Sequence, residues 1–246
     1  MAKARADVLL VERGLFDSRA KARAAIEAGG VTADGRPVRK AAEPLETGAV
    51  LAAVPAHPWV GRGALKLVHA LDIWPIGMQG AVVLDVGAST GGFTEVCLSR
   101  GAARVYAVDV GRDQLHPALA RDPRVVDLQA TDARALTAGL IPQPPDLIVC
   151  DVSFIGLGKA LPAALALAAP GADLVALVKP QFEAGPQAIG KGGLVKDAAV
   201  RAAALEAVKA WLAKAGWPVR ASTESPVAGG DGAREYLVWA SRAPPG

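Results

Sequence analysis

The stretch Val82-Val83-Leu84-Asp85-Val86-Gly87-Ala88-Ser89-Thr90-Gly91-Gly92-Phe93 decides the fold. An apolar run typical of a buried parallel strand breaks into a turn of small residues, and Phe93 to Arg100 continues with helical spacing. That is the first βα unit of a nucleotide-binding α/β domain, where glycines let the backbone close around a ligand. A dinucleotide fingerprint would read Gly-x-Gly-x-x-Gly; here Ser89 takes the second glycine position, where a pyrophosphate needs the closest approach. The form Asp-x-Gly-x-x-x-Gly-Gly suits a ligand without phosphates, such as S-adenosylmethionine.

Working outward, Arg104 to Val110 is a second apolar strand, and it ends at Asp109, 22 positions after Gly87. A carboxylate at that strand tip is where such folds hold ribose hydroxyls. A third strand, Arg124 to Leu128, leads into Thr131-Asp132-Ala133-Arg134, which predicts that Asp132 reaches an adenine edge. Two further strands end in charge: Val149-Cys150-Asp151 and Leu177-Val178-Lys179-Pro180. The carboxyl ends of strands line the ligand crevice of an open α/β sheet, so both charges point at that site.

The 246 residues are 52% hydrophobic and 21% charged, which argues for a globular chain with a sizeable core and against disorder. No apolar run reaches membrane-spanning length: Ala160 to Ala172 stops at Asp173 after 13 residues. The amino terminus carries Lys3, Arg5 and Asp7 without an apolar signal core, so a cytoplasmic location is expected. Cys97 and Cys150 lie in or beside apolar segments and read as reduced, buried thiols; with three scattered histidines, no metal site is expected.

The charge is unevenly placed. Residues 1–40 hold nine Lys and Arg against five Asp and Glu, a net of +4, whereas the whole chain is +3, so the other 206 residues sum to −1. Concentrated positive charge is the footprint of a nucleic-acid contact. Residues 1–56 read as a small α+β module: a helix from Ala6 to Arg13, a second from Asp17 or Ser18 to Ala28, an Asp34-Gly35 hairpin and a closing strand over Gly48 to Val54. Residues 57–60, preceded by Pro55 and containing Pro58, read as a linker. Residues 61–246 form the α/β domain, with a helix over Gly63 to Ile73, another over Asp197 to Ala215, and late strands near Pro218 to Ser222 and Glu235 to Ala240.

Five segments together, Arg62-Gly63-Ala64-Leu65-Lys66-Leu67, Asp85 to Thr94, Asp151-Val152-Ser153-Phe154-Ile155, Lys179-Pro180-Gln181-Phe182-Glu183 and Glu235-Tyr236-Leu237, make the chain similar to the TlyA family throughout. Members of that family, often labelled hemolysin A, join an S-four-type RNA-binding domain to an FtsJ-like methyltransferase with a Rossmann-like class I sheet, and they methylate cytidine 2′-hydroxyls of ribosomal RNA. The resemblance implies S-adenosylmethionine as cofactor and ribosomal RNA or a ribosomal subunit as partner. It implies a Lys66, Asp151, Lys179 and Glu235 tetrad as the catalytic residues. It implies cofactor contacts at Asp85, Gly87, Ala88, Ser89, Thr90, Gly91, Gly92 and Phe93, at Asp109 and Val110, at Asp132 and Ala133, and at Asp151. Its RNA contacts would be Arg5, Arg19, Lys21, Arg23, Arg36, Arg39, Lys40 and Arg62. The stop soon after Trp239 resembles the shorter type of the family, so large-subunit RNA is the expected target.

Three departures stand out. The linker reads His57-Pro58-Trp59-Val60 where the family often has Arg-x-Trp-Val, Gly61 replaces a serine, and Gly232-Ala233-Arg234-Glu235 replaces Gly-Asn-x-Glu. The residue types nevertheless suit the chemistry. A ribose hydroxyl needs a positioned base, and a lysine serves if burial or a second cation eases its deprotonation, as Lys66 beside Lys179 would. Three other readings compete. An NAD(P)-dependent oxidoreductase conflicts with Ser89 in the glycine motif and with the lack of Tyr-x-x-x-Lys. A membrane-lytic protein lacks a span or a strongly amphipathic basic helix. An RNA-binding protein with an inactive methyltransferase fold is disfavoured by the intact tetrad.

Overall fold

The computed structural model describes residues 2–190, 192–229 and 232–243, and all statements of structure concern these. The chain divides into two compact units, 1–58 and 59–246.

The first unit runs β1 (Lys3–Arg5), α1 (Ala6–Glu12), α2 (Arg19–Glu27), β2 (Val31–Ala33), β3 (Arg36–Pro37), β4 (Pro44–Glu46) and β5 (Leu51–Ala53). The Ser18 hydroxyl caps α2 by accepting from the Lys21 amide at 3.3 Å, as its residue type foretells. Asp34 and Gly35, with φ of 49° and 74°, make the tight turn between β2 and β3. Leu9, Leu10, Phe16, Ile26 and Val31 fill the core between the helices and the three-stranded sheet β3-β2-β5. The antiparallel pair β1 with β4 is absent from the sequence reading. Strands of three residues carrying Lys3, Arg5 and Glu46 give no alternation to read.

The second unit holds α3 (Ala64–Ile73), β6 (Val82–Val86), α4 (Gly92–Ser99), β7 (Arg104–Val108), α5 (Pro117–Ala120), β8 (Val125–Leu128), β9 (Leu147–Cys150), α6 (Leu157–Ala160), α7 (Pro162–Leu167), β10 (Asp173–Val178), α8 (Pro180–Glu183), α9 (Ala198–Lys214), β11 (Val219–Glu224) and β12 (Tyr236–Ser241). Its seven-stranded sheet has the order β11-β12-β10-β9-β6-β7-β8. Strands β6 to β10 are mutually parallel where they pair, and β12 enters antiparallel beside β10.

Both faces are covered, which is why these strands read as unbroken apolar runs. Leu84, Val86, Ile148 and Cys150 pack toward Leu157 of α6, Leu161 between α6 and α7, and Val208 and Leu212 of α9. Val83, Val105 and Val149 pack on the other face with Leu67 of α3 and Phe93, Val96 and Cys97 of α4. Each such side chain, fully buried, contributes about 1.5–3 kcal/mol.

Candidate active site

The chain leaves β6 toward β7 on one side, while β9 pairs on the other, so the strand order reverses between β6 and β9. Loops part at such a switch point and leave a crevice at the carboxyl ends of the strands. The loop after β6 sits hard against β9: Gly87 has φ of +85°, and a Cβ there would lie 2.9 Å from the Asp151 carbonyl oxygen. Only glycine meets both conditions.

Asp109 closes the turn from the next strand. Its Oδ2 accepts the Ser89 amide hydrogen at 2.8 Å, and its Oδ1 accepts that of Gly111 at 2.8 Å. Below the turn, fully buried Asp85 accepts from the Thr94 hydroxyl at 2.7 Å, while its Oδ1 has no hydrogen-bond partner. Burial above all, and then the negative charges of Asp151 and Asp109, push its carboxyl up to about 7 against the lowering effect of Thr94.

The crevice encloses about 680 Å³, within the range of about 300–1,000 Å³ for small-molecule sites. Of the residues expected at a cofactor, Gly87, Ser89, Asp109, Val110, Asp132, Ala133 and Asp151 line it. Asp85, Ala88, Gly91, Gly92 and Phe93 are buried outside that lining, and Thr90 is exposed beside it. Asp132 also carries an ion pair. Arg134 Nη2 and Nε reach its carboxylate at 2.5 and 3.0 Å, the Arg134 amide adds a third bond, and this pairing lowers the carboxyl to about 2. The carboxylate is thus paired with a neighbour two residues on while it lines the crevice.

Four charged side chains from four elements meet at the edge of the crevice. Lys66 of α3 places Nζ 2.6 Å from Glu235 Oε2, just before β12, and 3.5 Å from Asp151 Oδ2, just after β9. Lys179, at the end of β10, places Nζ 2.6 Å from Asp151 Oδ1 and donates to Ser153 Oγ at 2.9 Å. Lys66, Lys179 and Glu235 are only 6%, 7% and 3% exposed. Two cations and two anions cancel, the condition under which buried charge is tolerated. Asp151 is the shared member, placed between both amines. The substitution before Glu235 leaves it seated: Gly229 lies so close to its carboxylate that a Cβ there would collide with it. Gly61 likewise faces Thr90, whose Oγ1 would lie 2.8 Å from an added Cβ.

Two residues of this region had no assigned role in the sequence reading. Ser153 steers the Lys179 amine, and Phe154 projects into the crevice lining 90% exposed with φ of 67°. An exposed aromatic in a left-handed conformation has no motif signal beyond the quoted pentapeptide.

In the first unit, Arg5, Arg19, Arg23, Arg39 and Lys40 share one groove. Buried Asp7 anchors it, accepting from Arg5 at 2.9 and 3.1 Å and from Arg19 at 2.8 and 3.2 Å. The bonds from Arg5, then those from Arg19, hold its carboxyl well below the usual range despite desolvation. Lys21 pairs with Asp17 at 2.9 Å and Arg36 lies on the hairpin, both outside that groove. Arg62 belongs to the second unit and is exposed ahead of α3. Among the described residues no group of three His, Cys, Asp or Glu converges to hold a metal, and no helix is long and apolar enough to cross a membrane.

Comparison with known proteins agrees with this architecture. The FtsJ-like methyltransferase profile matches residues 59–242, and the S4 domain profile matches residues 4–51. The 16S/23S rRNA (cytidine-2′-O)-methyltransferase TlyA of Mycobacterium tuberculosis is 47% identical over 96% of this chain and 89% of its own length. Hemolysin A of Brachyspira hyodysenteriae is 35% identical over 95% of this chain and 98% of its own. A solved hemolysin-designated protein from Streptococcus thermophilus superposes with a TM-score of 0.78 at 38% identity, covering 99% of this chain and 90% of that one. A glycine crevice at the switch point, a buried four-residue charge cluster beside it and these matches along nearly the whole chain lead to one assignment: the protein belongs to the TlyA family of FtsJ-like methyltransferases.

Proposed function

We propose that this protein transfers a methyl group from S-adenosylmethionine to the 2′-hydroxyl of a cytidine in ribosomal RNA. The observation that carries the reading is the Lys66–Glu235–Asp151–Lys179 cluster at the rim of the β6/β9 crevice. The crevice chemistry fits the cofactor. Asp109 offers a carboxylate beside the apolar walls of Val110, Ala133 and Val152, which suits a nucleoside with its ribose hydroxyls. Asp109, Gly87 and Ser89 would hold the nucleoside, with the ribose at the Asp109 carboxylate.

When bound, S-adenosylmethionine supplies a methyl group already made electrophilic by its sulfonium. The chain's own share is to position a ribose and move one proton. Lys179 is the proposed base, because its two partners, Asp151 and Ser153, both line the crevice. Its Nζ, once neutral, accepts the 2′-hydroxyl proton. Lys66, itself held by Glu235, pairs with the other oxygen of Asp151. The face of Phe154 offers a stacking surface for a base.

Residues 1–56 serve as the RNA-docking module, 57–60 as the linker and 61–246 as the methyltransferase. This work belongs where ribosomes are, in the cytoplasm, with large-subunit RNA as the favoured substrate. The test is incubation of unmodified 16S and 23S RNA, and of assembled subunits, with labelled S-adenosylmethionine, followed by mapping of ribose methylation. Label at a single cytidine ribose is expected; label on a base or on no RNA at all refutes the reading.

A further inference from the structure

A second cavity, of about 360 Å³, abuts the same charged cluster through its chain neighbours: Pro180 follows Lys179, and Ala233 and Arg234 precede Glu235. It shares no lining residue with the cofactor crevice. Its described lining carries Lys196, Arg201 and Arg234 and no Asp or Glu. Arg201 Nη1 donates to the carbonyls of Val195 at 3.0 Å and Lys196 at 2.6 Å, which fixes the arginine to the segment bearing Lys196. Its Nε is buried without a hydrogen-bond partner. Arg234 has an exposed ion pair with Glu224 at 3.6 Å, a weak contact easily exchanged for a stronger anion.

We propose that this cavity is a phosphodiester subsite, holding the RNA linkage on the 3′ side of the target nucleotide. The inference rests on the 2′-O-methyltransferase reading. In RNA the 2′-hydroxyl and the 3′-phosphate sit on adjacent ribose carbons, so a hydroxyl presented to Lys179 brings its phosphate within about one residue's reach. The cavity beside Pro180 and Arg234 carries cations and no carboxylate among its described lining, so it attracts that phosphate. Lys196 and Arg234 make the charge contacts, and Arg201 holds the wall in place.

The test uses the full chain with an RNA fragment containing the mapped target, carrying either the natural 3′ linkage or an uncharged methylphosphonate there. The Lys196→Ala/Arg234→Ala double variant should raise KM for natural RNA about tenfold or more, the scale of one lost charge-assisted contact. Its kcat should stay within about threefold and its S-adenosylmethionine affinity should not change. The salt slope of RNA binding should fall by roughly one to two. The methylphosphonate should cost the wild-type protein a similar factor and cost the variant little more. Full additivity of the two losses, or an unchanged KM in the variant, overturns the subsite. If the wild-type protein methylates no RNA, the functional reading fails instead. RNA affinity and salt slope then still decide the subsite: it stands only if both fall in the variant.

Discussion

Asp151 Oδ1 stands 2.6 Å from the Lys179 amine, yet the directed hydrogen bond of that amine goes to Ser153 Oγ at 2.9 Å. Asp151 balances charge and Ser153 sets direction. A flexible lysine is thereby aimed at the crevice, as a proton acceptor requires and a phosphate-binding point charge does not.

Substitution of Lys179 separates these two roles. Lys179→Ala should abolish methyl transfer while leaving S-adenosylmethionine binding within about threefold. Lys179→Arg should be nearly as inactive, because a guanidinium stays protonated at working pH and takes no proton. Single-turnover transfer at saturating RNA is the measurement. Near-normal turnover of the arginine variant would exclude Lys179 as the base and leave the fold assignment untouched.

Asp109 should matter twice over, since its oxygens bind the Ser89 and Gly111 amides and also line the crevice. Asp109→Ala is expected to weaken S-adenosylmethionine binding by about 1–3 kcal/mol, the scale of lost hydrogen bonds to a charged group. Asp109→Asn should be milder, because the amide oxygen still accepts one of the two bonds. Calorimetry on folded variants tests this, and equal affinities across the three proteins would remove Asp109 from the site.

Asp85 makes stability depend on pH. Its folded carboxyl titrates at about 7, against about 3.9 in an unfolded chain. The folded state thus binds the proton more tightly, so the stability linked to this group is complete below about pH 4 and is lost as pH rises through about 7. Asp85→Asn should remove that slope, shrinking the difference in unfolding free energy between pH 5 and pH 8 by about 3 kcal/mol. Urea melts at the two pH values decide it; parallel losses in both proteins would mean that other groups carry the dependence.

Much of this was legible because it depends on short-range rules. The apolar run and glycine turn at Val82 to Phe93 fix β6 and α4, and Ser18, Asp34-Gly35 and Asp197 mark their cap and turn positions unaided. What was not legible depends on what else occupies a place. Asp85 and Asp109 are both carboxylates at the carboxyl ends of neighbouring strands, yet one is sealed below the turn and the other lines the crevice. Asp132 carries the same strand-tip signal, and a bidentate neighbour, Arg134, decides its state. The Ser153 hydroxyl on Lys179 joins residues 26 apart in sequence, and no local spacing reveals it.

The groove around Asp7 should supply RNA affinity that falls with salt. Arg19→Ala and Lys40→Ala should each lower the slope of log affinity against log salt by roughly one. Lys21→Ala should change it less, because that lysine lies outside the groove and is paired with Asp17. The fragment 59–246 should bind RNA more weakly and with a shallower slope. Binding as tight and as salt-sensitive as that of the full chain would remove residues 1–56 from docking.

The two cysteines give the protein a built-in clock. Cys97 on α4 and Cys150 on β9 are both fully buried, and burial pushes the Cys150 thiol up to about 12. A thiol reagent therefore finds neither in the closed molecule, and both lie within residues 59–246. Labelling times the opening of that unit alone and is blind to the first. Because one thiol lies on the buried side of the covering helix α4 and the other at the end of β9, their separate rates distinguish peeling of the cover from parting of the sheet.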